Sequence, residues 1–83
     1  MTKVDDLHID ATAYYGIEYY TYNEADEIAA SSIDTIAGAD LHEEITSRLF
    51  AYQSLQQDGD RIELTGDRGR LDGRRVVTYT KID

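Results

Sequence analysis

From Leu7 to Tyr14 the chain alternates, with Leu7, Ile9, Ala11 and Ala13 separated by polar residues. That two-residue period predicts a half-buried strand over 7–14. After Tyr15-Gly16, the run Ile17-Glu18-Tyr19-Tyr20-Thr21-Tyr22 is rich in β-branched and aromatic residues and predicts a second strand over 17–22. Gly16 suits the tight turn of a hairpin between the two. The period then lengthens. Ala25, Ile28, Ala29, Ile33, Ile36 and Ala37 recur at helical spacing behind Asn23 as N-cap, and Gly38 marks a stop. Asp40 with Glu43 forms a capping-box variant that opens a second helix; its stripe is Leu41, Ile45, Leu49, Tyr52 and Leu55, and Gly59 closes it. Two further strands are expected at 61–65 and 75–80, joined by an exposed polar loop over 66–73.

The expected fold is therefore one small α+β domain over residues 1–83, in the order β-β-α-α-β-β. Its antiparallel sheet would carry both helices on one face. Eighty-three residues allow a single domain with a thin core. Strand edges and that thin core make a homodimer a candidate assembly. No apolar run approaches the roughly 20 residues of a membrane span. The first residues lack the basic and apolar segments of a secretory signal, so a cytoplasmic protein without membrane contact is expected.

The chemistry of catalysis is sparse. No cysteine is present, which excludes disulfides and thiolate sites. His42-Glu43-Glu44-Ile45-Thr46 starts like a zinc helix but ends in threonine, and His8 lies 34 positions away, so no metal site is expected. Asp58-Gly59-Asp60 lacks the remaining ligands of a calcium loop. The glycines at 66, 69 and 73 have no Gly-Lys-Ser/Thr ending and no helix behind them to cradle a phosphate. None of Ser31, Ser32, Ser47 and Ser54 lies beside a histidine, so no nucleophile with a base can be argued. The expectation is a protein that is not an enzyme and needs no cofactor.

Charge changes the picture. Seventeen acids against eight bases give a net charge of −9, and it is unevenly spread: residues 1–60 carry −11 and residues 61–83 carry +2. Five of the seven tyrosines and four acids fall within residues 14–27. Alternation in a hairpin must expose some of those rings, and an exposed tyrosine beside carboxylates suits arginine and lysine of a partner. The expected contact surface is Asp10, Tyr14, Glu18, Tyr20, Tyr22, Glu24, Asp26, Glu27, Glu43 and Glu44. A strongly acidic chain disfavours direct contact with nucleic acid and favours a basic, nucleic-acid-binding protein or complex. The competing explanation of the acids is solubility or a high-salt source, which Asp over Glu at 11 to 6 and Arg over Lys at 6 to 2 would fit.

In size, in the acids Asp10, Glu18, Glu24, Asp26, Glu27, Asp34, Asp40, Glu43 and Glu44, and in the interleaved tyrosines, the chain resembles the small acidic inhibitors of phages and mobile elements. These are anti-CRISPR proteins, antirestriction proteins and other DNA mimics. The resemblance is one of type, covers roughly residues 8–44, and rests on no diagnostic motif. It implies a steric mechanism, in which the protein covers the nucleic-acid-binding surface of a defence complex without catalysis. The basic last quarter departs from that pattern. It supports a rival reading, a winged-helix-like regulator gripping DNA through Arg68, Arg70, Arg74 and Arg75. Against it, the second helix offers Arg48 beside Asp40, Glu43 and Glu44, a net negative face toward DNA.

Overall fold

The computed structural model describes residues 3–22, 28–67 and 74–82. Its frame is a five-stranded antiparallel sheet with one helix on one face. A short 3-10 turn, Val4–Asp6, precedes β1 (Tyr14–Tyr22), β2 (Ile28–Ala37), α1 (Gly38–Leu49), β3 (Ser54–Asp58), β4 (Arg61–Asp67) and β5 (Arg74–Ile82). The strands lie in the order β2-β1-β5-β4-β3. Both edges are thus joined through α1, which carries the chain across the sheet from β2 to β3.

This architecture corrects the β-β-α-α-β-β expectation at three places. The segment expected as a strand over 7–14 enters no ladder before Tyr14. Its alternation reports burial in part: Leu7, Ile9 and Ala13 pack against the core, whereas Ala11 is exposed. The chain bends away at Asp10, where Oδ1 accepts the Thr12 amide at 2.9 Å and the Thr12 hydroxyl at 2.6 Å, while Ala13 N–H donates to the Asp10 carbonyl at 3.1 Å. Such side-chain-to-backbone bonds offer the backbone a turn in place of a ladder.

In its described part, 28–37, the first expected helix is a strand; its expected N-cap Asn23 and Ala25 lie outside the described residues. Of its six stripe positions the three isoleucines are β-branched, and Ser31, Ser32 and Thr35 between them form helices poorly. β1 supplies a partner through a continuous antiparallel register from Tyr14↔Ala37 to Thr21↔Ala30, with a bulge at Thr21/Tyr22. Gly16, expected in a turn, sits inside β1 between Thr35 and Thr80.

The second expected helix is split. α1 starts at Gly38 without a side-chain cap, ends at Leu49, and its last expected turns become β3. Leu41, Ile45 and Leu55 are nonetheless fully buried. The stripe named the core residues and missed the change of period beneath them. Gly38 is required by close approach, since a Cβ there would stand 2.0 Å from the Asp10 carbonyl oxygen. Gly59 forms the β3–β4 hairpin turn at φ +61°, a conformation glycine adopts without strain. The fragment read against a calcium loop is this turn.

Register decides the two faces. Tyr15, Ile17, Leu55, Ile62, Leu64, Val77 and Tyr79 point to the helix side and close, with Leu41 and Ile45, a core from which solvent is nearly excluded. Each such side chain stabilises the fold by roughly 1.5–3 kcal/mol. The N-terminal segment completes this layer and is clasped by Gln57. His8 N–H donates to Gln57 Oε1 at 2.8 Å, and Gln57 Nε2 donates to the His8 carbonyl at 2.8 Å.

Candidate interface: the uncovered face of the sheet

The opposite face of the sheet has no described element lying over it. The ladder aligns its side chains in rows across the strands. One row runs Gln56, Glu63, Thr78, Glu18, Ile33; the next runs Ser54, Thr65, Val76, Tyr20, Ser31. Tyr22 follows Tyr20 on β1, their rings 6.4 Å apart and tilted by 33°. Tyr14 lies at the other end of the same strand, beside Ile82 and Ala37, and is 61% exposed.

The centre of this face is organised around Thr78, only 6% exposed although no layer covers it. Glu18 and Glu63 are its register neighbours on either side. Each carboxylate has a local donor. The Tyr20 hydroxyl donates to Glu18 Oε2, and Arg61 Nη2 lies 3.0 Å from Glu63 Oε2. The bond to Glu18, with burial second, holds the Tyr20 phenol above its ordinary value, so it stays a neutral donor. Tyr20, Tyr22, Arg61 and Thr78 line two overlapping shallow depressions here. Rings, carboxylates and hydroxyls on a rigid sheet make a surface that accepts hydrogen bonds and stacks on cations.

The helix side has a polar cluster of a different kind. Glu44 Oε2 accepts from Arg48 Nε at 2.6 Å and from the Tyr79 hydroxyl at 2.8 Å. Arg48 Nη2 also donates to the Tyr19 hydroxyl at 2.9 Å, its guanidinium 4.6 Å from the Tyr19 ring centroid. Burial raises the Glu44 carboxyl, but the bonds from Arg48 and Tyr79 outweigh it and hold the group below its ordinary value. Burial, then the bond to Glu44, pushes the Tyr79 phenol far up. Every member is held by another, which makes the cluster a brace between α1 and the sheet.

The residues expected to form one contact surface are thus divided. Tyr14, Glu18, Tyr20 and Tyr22 share the uncovered face. Asp10 lies behind it, in the turn, where the Thr12 hydroxyl and amide and the Lys81 ammonium at 3.2 Å bring its carboxyl down to about 2. Glu43 is exposed on α1, and Glu44 turns inward to the brace. Glu24, Asp26 and Glu27 lie outside the described residues.

Of the arginines expected to meet DNA, Arg68 and Arg70 also lie outside the described residues, and Arg74 is described in its backbone alone. Arg75 faces the helix side. Its Nη2 donates to the Ala51 carbonyl at 2.7 Å and its guanidinium stacks 4.7 Å over the Tyr52 ring, so it serves the fold. One described helix does not make the helical pair and wing that the DNA-gripping reading requires.

Arg61, Glu63, Thr78 and Thr80 belong to the uncovered face and were missed by sequence reasoning. Alternation in 61–65 and 75–80 marks which residues share a side, and composition does not say which side the helix takes. Ile33, expected in a helical core stripe, is 82% exposed on this face. Among the described residues no three or more His, Asp or Glu side chains are grouped to hold a metal ion. No described helix is long and apolar enough to cross a membrane. No protein-family profile, curated protein or solved structure is matched by this chain.

Proposed function

We propose that the protein acts by binding, as a small acidic inhibitor that covers a basic, nucleic-acid-handling surface of a partner protein. The kind expected is the one that phages and mobile elements direct against host defence complexes. The observation that carries the reading is the uncovered sheet face, where Tyr20 and Tyr22 share the surface with Glu18 and Glu63, and Tyr14 stands exposed at the far end of β1, on a chain of net charge −9. Tyrosine is a preferred anchor in protein interfaces, and the acid excess raises the encounter rate with a basic groove. Within this chain tyrosine already receives arginine, at Arg48 over Tyr19 beside Glu44. Glu18 with Tyr20 offers a partner's arginine the same pair of groups. The mechanism is steric: the protein occupies the groove, and the phosphate backbone is kept out.

The test is capture of nucleic-acid-binding proteins from a host lysate on the tagged protein, followed by elution with salt and with duplex DNA. Both should release the captured complex. Purified with its captured partner, the double variant Glu18→Lys, Tyr20→Ala should bind about tenfold more weakly or worse, since a truncated hot-spot ring alone costs upward of 1 kcal/mol. Capture that resists both salt and DNA, or direct binding of labelled duplex by the protein itself, overturns the reading.

A further inference from the structure

The two edges of the sheet are protected very differently. β3 is five residues long, ends in Asp58 at a tight turn, and is flanked by the N-terminal segment that Gln57 clasps. β2 is ten residues long, has no described strand on its outer side, and contains no proline, lysine or arginine. Short length, proline and lysine are the devices that keep edge strands from pairing with another chain. Here one group stands in their place: Asp34, whose Oδ1 accepts the amide of Thr35 at 2.8 Å.

We infer that β2 is a dimerisation edge and that its occupant is β2 of a second copy, paired antiparallel about a two-fold axis at Ile33. The register is self-complementary. It sets Ile33 against the second Ile33, Ser31 against Thr35, Ser32 against Asp34 and Ala30 against Ile36, so no carboxylate opposes another. An isologous contact of this kind closes after two copies. It continues the sheet to ten strands and gives the 82% exposed Ile33 an apolar neighbour on the uncovered face. Asp34 is the only acid on the strand. It limits the contact twice, by holding the Thr35 amide that an intermolecular ladder needs and by placing a charge beside the axis.

The inference is independent of the proposed partner, and its salt dependence has the opposite sign. Two copies of charge −9 repel, so added salt should strengthen the dimer, whereas it should weaken capture of a basic partner. The experiment is sedimentation equilibrium of the purified full chain over a concentration series at low and high salt. The expected result is a mass rising from 9.4 kDa to twice that value, with the transition at lower concentration in high salt. Ile33→Lys puts two ammonium groups side by side at the axis and should weaken association about tenfold or more. Gln56→Lys, the same charge change on the β3 edge, should leave it unchanged. Asp34→Ala should tighten it severalfold. Circular dichroism spectra matching the parent confirm that each variant folds. A folded parent that stays monomeric throughout the series overturns the inference. So does a dimer that Gln56→Lys disrupts and Ile33→Lys does not.

Discussion

The two faces of one sheet use the same residue types to opposite ends. On the helix side Tyr15 and Tyr79 are buried, Glu44 is bonded to Arg48 and Tyr79, and the guanidinium of Arg48 lies over Tyr19. On the other side Tyr20 and Tyr22 are half-buried in a face that no described element covers, and Glu18 has the Tyr20 hydroxyl as its donor. The difference lies in what covers them. A carboxylate turned in between helix and sheet, as Glu44 is at 22% exposure, keeps little of its water and leans on fixed donors. A carboxylate on an open sheet keeps its water and can exchange it for a partner's cation. Tyrosine and glutamate acquire their roles from the layer above them, and the helix supplies that layer on one side alone.

Deleting buried volume breaks the covered face hardest. Leu64→Ala, at a fully buried position, should lower unfolding stability by about 2–5 kcal/mol in urea titrations. Tyr20→Ala on the uncovered face should change stability by less than half as much.

Removing the brace comes next. Glu44→Ala leaves Arg48 and the Tyr79 hydroxyl without their acceptor and should cost about 1–3 kcal/mol. The pH dependence sharpens this. Glu44 is held below its ordinary 4.5, so its contribution is present above that value and is lost as pH falls below it. Tyr79 is raised above its ordinary 10.0, so its contribution is present below pH 10 and is lost as pH rises further. Thermal melts of Glu44→Gln should fall less steeply than the parent below pH 4.5, and those of Tyr79→Phe less steeply above pH 10. Parallel profiles for parent and variants would remove the brace as the source of either limb.

The smallest stability effect is expected at the exposed acids of α1. Glu43→Lys should shift stability within about 0.5 kcal/mol. Its effect on capture of a basic partner separates long-range steering from contact: a slower association with an unchanged dissociation rate marks steering. A faster dissociation would place the helix, and not the sheet face, in the interface.

Much of the covered layer was legible beforehand. Leu41, Ile45 and Leu55 were named as core residues, and Leu7, Ile9 and Ala13 do pack against it. The candidate surface was half legible. Tyr14, Glu18, Tyr20 and Tyr22 share one parity of one strand, and parity is local information. Asp10, Glu43 and Glu44 carry the same charge, and nothing local separates an acid that caps a turn or braces a helix from one that waits for a partner. Arg75 read as a cation for gripping DNA, yet it lies over Tyr52, a contact made across 23 positions of chain.

By itself the sequence determined the net charge of −9, the absence of thiol chemistry, the alternating parity of the strands and most of the side chains that must avoid water. Tertiary structure decided the rest. Residues 28–37 satisfy a helical stripe as well as a strand, and the choice fell to β1, whose ladder pairs the backbone groups on the inner side of the strand along most of its length. α1 then settled which parity became core and which stayed open. Both decisions depend on pairings between residues far apart in the chain, and a local period cannot contain the free energy of a partner that it does not include.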